Sequence, residues 1–312
     1  MRFKKWIALL IMVVAGSFLT GREAFAVEKF KVVATTSLFA DLIGQIAGKK
    51  AEVYYIASPS QDIHFISPNP KDVVKTKKAD VFVHAGLDLE AWRGPFLDAV
   101  GKMEFMPGGK RAIDLSQGIA LLEIPSSLSR TQGDIHAFGN PHYWTDPLNV
   151  KIMVRHIAEA LAQIYPEDQD FFKKNADEFG RKIDEKMRDW SKRLEPYKGT
   201  SVVTYHNDLP YFIERFGLVV AGHLEPKPGI PPTAKHLADL MHGMKEKKVK
   251  VIIKDSYQED RTPGRLAEQT GAKVLVLAQS VGQNKEGHDY FSMMEYNIGT
   301  LEKAFHEKGR SR

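Results

Sequence analysis

Between residues 166 and 194 the chain reads PEDQDFFKKNADEFGRKIDEKMRDWSKRL. Pro166, followed by Glu167 and Asp168, is a favourable helix start, because proline tolerates the first turn and acids complement its exposed N–H groups. Phe171, Phe172, Ala176, Phe179, Ile183, Met187 and Trp190 then recur at helical spacing within a highly charged stretch. One helix of about 28 residues would be about 42 Å long, well above the usual globular length. Such a helix suits a spine joining two lobes; the alternative is two helices broken near Gly180.

The flanks support the spine. On the N-terminal side, short apolar strands alternate with helical patterns. Lys31–Thr35 is a strand followed by a helix over 38–47, Val53–Ile56 a strand, and Asp80–His84 a strand with a helix beginning at Glu90. An amphipathic helix over 152–165 leads into the spine. Beyond it the alternation resumes: strand Ser201–Tyr205, helix 209–216, strand Val249–Lys254, helix 262–270, strand Lys273–Leu277 and a closing helix over 290–306. Buried strands alternating with helices indicate parallel sheets built by right-handed crossovers. The expected fold class is therefore α/β, two lobes with parallel sheets flanked by helices and bridged by one long helix. The expected units are an N-terminal lobe over 27–165, the linking helix over 166–195 and a C-terminal lobe over 196–312.

Residues 1–26 read as an export signal: a basic start through Lys5, an apolar run from Trp6, and Ala24-Phe25-Ala26 as a small-x-small cleavage site. The alternative, an uncleaved membrane anchor, conflicts with the shortness of the run. The whole chain has 312 residues and net charge +5. Removing the leader takes away four basic residues and one acidic one, leaving +2. Basic clusters such as Lys245-Glu246-Lys247-Lys248 are interleaved with acids, so nothing in the charge pattern argues for nucleic acid. No cysteine is present, which excludes disulfides, thiolate metal clusters, cysteine nucleophiles and a lipid-modified N-terminal cysteine. A soluble monomer of the bacterial periplasm, without a lipid anchor, is the expectation.

Three of the eleven histidines share a context. His64 lies just past the second strand, His142 lies in Gly139-Asn140-Pro141-His142-Tyr143-Trp144, and His206 follows the strand 201–205 directly. Loops at the carboxyl ends of parallel strands line the ligand crevice, so the three could converge on one cleft. Neutral imidazole suits zinc well. Spacings of 78 and 64 residues exclude a local finger, and a lone strand-end histidine is commonly just hydrogen-bonded in place.

Ordered motifs sharpen this reading. They are Val33-Ala34-Thr35-Thr36-Ser37-Leu38, Asp62-x-His64 with Pro68 and Pro70, and Gly86-Leu87-Asp88-Leu89-Glu90-x-Trp92. Further on come Asn140-Pro141-His142-x-Trp144-x-Asp146-Pro147, Tyr205-His206-Asn207-Asp208-x-x-Tyr211-Phe212, Glu225-Pro226-x-Pro228-Gly229-Ile230 and Asp289-Tyr290-x-Ser292-Met293-Met294-x-Tyr296-Asn297. Over nearly its whole length after the leader, the chain resembles the solute-binding proteins of ABC importers for zinc and manganese. The resemblance implies two α/β lobes bridged by a long helix, His64, His142 and His206 as metal ligands, and a membrane permease as partner. The family often supplies a fourth ligand, an Asp, where this chain has Gln279. A neutral carbonyl oxygen in place of a carboxylate favours Zn²⁺ over Mn²⁺ as the transported ligand, with a water or an anion as alternative fourth donors.

The remaining histidines and acids have weaker readings. His136, six residues before His142, could capture or relay metal or add a ligand. His84 ends a strand and could border the cleft. His156, His236, His242 and His306 read as surface or helix-packing residues, and His223 and His288 as loop residues without a nameable partner. Asp62, Asp146 and Asp208 could orient ligand histidines, although Asp146 before Pro147 could instead cap a helix; Asp255 is a further cleft-edge candidate. The modest opening allowed by a stiff spine points to movement of one ligand loop, such as that of His64, as the release step. Rival functions are a secreted zinc hydrolase, for which no His-Glu-x-x-His and no Gly-x-Ser-x-Gly is present, and a surface adhesin on the same fold.

Overall fold

The computed structural model describes residues 29–126, 136–227 and 229–306; the expected signal peptide lies outside them. Two four-stranded parallel sheets form its framework. The first holds β1 (Phe30–Thr36), β2 (Ala51–Ala57), β3 (Val81–His84) and β4 (Ala112–Asp114) in the order β2-β1-β3-β4. The second holds β5 (Ser201–Thr204), β6 (Val219–His223), β7 (Val251–Lys254) and β8 (Lys273–Val276) in the order β6-β5-β7-β8. Both sheets reverse their strand order beside the first strand, and ligands bind outside the carboxyl ends of strands at such a point.

The helices are α1 (Ser37–Ala47), α2 (Pro70–Lys77), α3 (Arg93–Val100), α4 (Pro147–Ile164), α5 (Gln169–Leu194), α6 (Pro210–Phe216), α7 (Ala234–Glu246), α8 (Arg261–Thr270) and α9 (Tyr290–His306). The spine α5 is a single helix of 26 residues. It is entered through a tight turn at Pro166–Asp168 rather than from Pro166 itself. Gly180 does not break it: buried Phe172, Ala176, Phe179, Ile183, Trp190 and Leu194 carry one apolar stripe across that point. Mid-helix glycine costs about 1 kcal/mol, less than burial of any one of the large side chains in that stripe contributes. Three i,i+4 ion pairs, Lys173–Asp177, Arg181–Glu185 and Asp189–Arg193, line its exposed side.

The spine packs on α4, α1 and α9. Trp190 is fully buried and donates its indole N–H to Glu295 of α9 at 3.1 Å, while Arg193 pairs with Glu302 at 2.9 Å. The closing helix also reaches back to the first half: the Tyr290 N–H donates to Asp41 at 3.0 Å. One continuous apolar core therefore runs from β1 through the spine to α9.

Strands β4 and β6 and helix α2 are absent from the sequence reading. β4 has only three residues, and β6 is the half-exposed edge of its sheet, so neither shows a buried β-branched run. Helix α2 starts at Pro70 and is capped by Asn69, which takes the Asp72 N–H at 3.3 Å while Asp72 takes the Asn69 N–H at 2.7 Å. No helix among the described residues is long and apolar enough to cross a membrane.

Candidate metal centre

Each of the three histidines sits where the fold delivers it to the gap between the sheets. The carboxyl end of β2 runs into a turn in which Asp62 accepts the His64 backbone N–H at 3.0 Å. β5 ends at Thr204, and His206 follows two residues later. His142 sits on a rigid corner: its N–H donates to Asn140 Oδ1 at 3.0 Å, its carbonyl accepts the Thr145 hydroxyl at 2.9 Å, and neighbouring Tyr143 donates to the Ala85 carbonyl at 2.6 Å. One ring nitrogen from each of His64, His142 and His206 lies within 4.8 Å of the other two.

Carboxylates orient two of these rings. Asp62 Oδ1 is 2.8 Å from His64 Nδ1, and Glu225 Oε2 is 2.7 Å from His206 Nδ1. An ionised carboxylate can only accept, so the proton sits on Nδ1 and the Nε2 lone pair faces outward. Asp62 is one of the three acids that the sequence offers for this role. Glu225 is not, although the signal exists. In the pairing of β5 with β6 a register shift at Val202/Val203 sets Thr204 opposite His223. The Glu225 N–H then continues the ladder by donating to the Tyr205 carbonyl at 2.9 Å, which places Glu225 opposite His206.

His142 differs. It is 3% exposed, and neither ring nitrogen has a hydrogen-bond partner. Burial, with the neighbouring histidines, pushes its pKa well below the ordinary value, so the ring is neutral. His136 is pushed down to about 3 for the same reasons. For His206 burial opposes protonation, but Glu225, Asp208 and Asp62 outweigh it and raise the pKa. Burial of two uncompensated nitrogens costs free energy, and a cation that takes one of them recovers part of that cost.

Gln279 is 8% exposed and shares a narrow recess with His142, Trp144, Asp255 and Tyr257. Its amide donates to Asp208 Oδ2 at 2.6 Å, and its backbone carbonyl accepts the Trp144 indole N–H at 3.1 Å. Asp208 is thus held by Gln279, and burial raises its pKa against the pull of His206. Asp255 is buried as well; burial and then Asp208 raise its pKa to about 7. A second cavity of about 230 Å³ opens between His64, His206, Glu225, Tyr257 and Glu259.

Other expectations change. Asp146 is a helix cap and an inter-lobe ion pair rather than a histidine partner: it accepts the Leu148 N–H at 2.9 Å and binds Arg215 at 2.7 Å. His84 is buried against the Arg93 guanidinium, and burial followed by that charge pushes it down to about 3. His223 is a strand residue bonded to Thr204 Oγ1 at 2.7 Å, and its carbonyl accepts from His236 at 2.9 Å. His136, by contrast, joins the cluster, with Nε2 at 3.3 Å from His64 Nε2.

The sequence from 32 to 304 matches the family model described as zinc-uptake complex component A, periplasmic. The chain belongs to the ZnuA family of periplasmic metal-binding receptors of ABC importers. Relatives include the manganese ABC transporter substrate-binding lipoprotein PsaA of Streptococcus mitis, 27% identical over 96% of both chains. The iron-binding protein YfeA of Yersinia pestis is 28% identical, again over 96% of both. The zinc-binding protein AdcA of Streptococcus pyogenes serotype M1 is 27% identical over 96% of this chain and 61% of its own length. Among solved structures, a crystal structure of ZnuA covers 88% of this chain and 99% of its own, with TM-score 0.75 and 20% identity. The Mn-bound periplasmic metal-binding protein from Candidatus Liberibacter asiaticus has the same coverage, with TM-score 0.74 and 22% identity. Both share the two-lobe fold.

Proposed function

We propose that this ZnuA-family receptor captures Zn²⁺ in preference to Mn²⁺ and delivers it to the membrane permease of its importer. His64, His142 and His206 hold the ion, and Gln279 is the fourth donor expected from the sequence. The observation that carries this reading is the convergence of three imidazole nitrogens within 4.8 Å at the carboxyl ends of both sheets. Three imidazole nitrogen donors and no carboxylate among them suit zinc better than manganese. Asp62 and Glu225 offset the charge of the dication through the rings they hold.

The protein works by binding and release, without turnover. Asp62 and Glu225 are each committed to a histidine Nδ1 atom, which leaves neither free as a general base. We further propose a monomer divided at 165 and 195, with the leader removed after Ala26 and the receptor acting free in the periplasm. Relatives named lipoproteins stand against the last point. The absence of cysteine supports it.

A thermal-denaturation panel tests the metal preference. Stabilisation by a bound ion grows as RT ln(1 + [L]/Kd), so at equal free concentration Zn²⁺ should raise Tm most. A larger shift with Mn²⁺ or Fe²⁺ contradicts the assignment.

A further inference from the structure

We propose that His136 is a metal donor that completes an all-imidazole, four-coordinate zinc site with His64, His142 and His206. This rests on the receptor reading above and names the donor that sets its selectivity.

Geometry carries it. Because Asp62 occupies Nδ1 of His64, Nε2 is the atom that ring offers to a metal. His136 presents its own Nε2 to that same atom at 3.3 Å. Two donors of a tetrahedral zinc with Zn–N bonds of about 2.0–2.1 Å stand about 3.3–3.4 Å apart. The two nitrogens therefore already have the separation of a tetrahedral edge. The His136 ring centroid is 5.3 Å from that of His64 and 6.4 Å from that of His142, so His136 borders the trio of His64, His142 and His206 whose nitrogens lie within 4.8 Å of one another, and a short shift of its ring brings it onto a shared ion.

The chain after His136 is built to hold it there. The Gly139 N–H closes a turn onto the His136 carbonyl at 3.3 Å. Gly139 has φ +122, and a Cβ there would stand 2.9 Å from the Leu122 carbonyl oxygen, so this turn needs glycine. Asn140 is then fastened by the Leu122 carbonyl, Glu123, the Asn207 carbonyl and the Tyr211 hydroxyl. His136 and His142 thus leave the two ends of one anchored corner.

Gln279 is the poorer fourth donor. Its amide is bound to Asp208, and its backbone N–H and C=O are held by Gln283 and Trp144. A fourth imidazole also strengthens discrimination against manganese, which prefers carboxylate and carbonyl oxygen.

X-ray absorption at the zinc edge of the Zn²⁺-loaded protein, with affinity measured in parallel by competition with a chelator, tests this. The wild type should show four imidazole nitrogens at about 2.0–2.1 Å. His136→Gln should still bind one equivalent, show three imidazoles plus oxygen, and bind Zn²⁺ at least about 10-fold more weakly, no less than the roughly 10–100-fold that loss of a residue merely holding a ligand costs. Mn²⁺ affinity should move less, and Gln279→Ala should keep the four-imidazole spectrum. A wild-type spectrum with only three imidazoles, left unchanged together with the affinity in His136→Gln, overturns the proposal. Full binding by His142→Ala would instead overturn the receptor site itself.

Discussion

Glu225 Oε2 lies 2.7 Å from Nδ1 of His206, across the pairing of β5 with β6. That contact fixes the tautomer and the aim of the imidazole before any metal arrives. Glu225→Ala should therefore weaken Zn²⁺ binding roughly 10–100-fold while leaving the stoichiometry at one. Titration calorimetry reads both quantities. Unchanged affinity would mean that the Glu225 contact orients nothing of consequence.

His142 is buried with both ring nitrogens unpartnered, a cost borne by the metal-free fold. Replacing it with leucine removes the unsatisfied atoms at similar volume. His142→Leu should match or exceed the wild type in metal-free Tm, yet lose the Zn²⁺-induced rise. Scanning calorimetry with and without Zn²⁺ checks this. A strongly destabilised metal-free variant would mean that the ring is satisfied in solution.

Burial, and then the Arg93 charge, push His84 down to about 3 in the folded protein. Its unfolded value is about 6.5, so below that pH the unfolded chain takes up a proton that the native state refuses. Its contribution to stability is complete above about pH 6.5 and is lost as pH falls towards 3. Between pH 7 and 5 the loss from this one group is about 2 kcal/mol. Urea unfolding of the metal-free protein should show His84→Gln losing that much less stability than wild type over the same interval. Equal losses would mean that His84 is protonated in the native state.

The lobes are tied beside the site by Ser37 Oγ to the Val281 carbonyl at 2.7 Å and by Asp146 with Arg215 at 2.7 Å. With the unbroken α5 behind them, wide opening would break many contacts at once. Metal binding should leave the radius of gyration unchanged by solution scattering. Hydrogen exchange should slow in the His64 turn, residues 58–66. A clear contraction of the whole particle would instead indicate hinge closure.

Much of this was legible in the sequence. The α5 stripe from Phe172 to Trp190 is a 3.6-residue pattern, and buried parallel strands such as Val81–His84 are short apolar runs, so local chemistry announces both. The histidines at strand ends were legible because parallel sheets present those ends to ligands. What stayed hidden depends on register and on long-range approach. Glu225 reaches His206 only through the shift at Val202/Val203, and Gln279 meets Asp208 across 71 residues. Asp146 looked ambiguous because its Arg215 partner lies 69 residues away.

The central claim is that His64, His142 and His206 together form one selective zinc site. Isothermal titration of the metal-stripped protein with Zn²⁺ and Mn²⁺, beside His64→Ala, His142→Ala and His206→Ala, tests it most directly. One tight Zn²⁺ site, weak Mn²⁺ binding and a large loss in each variant is the predicted result. Tight Zn²⁺ binding that survives all three substitutions would contradict it.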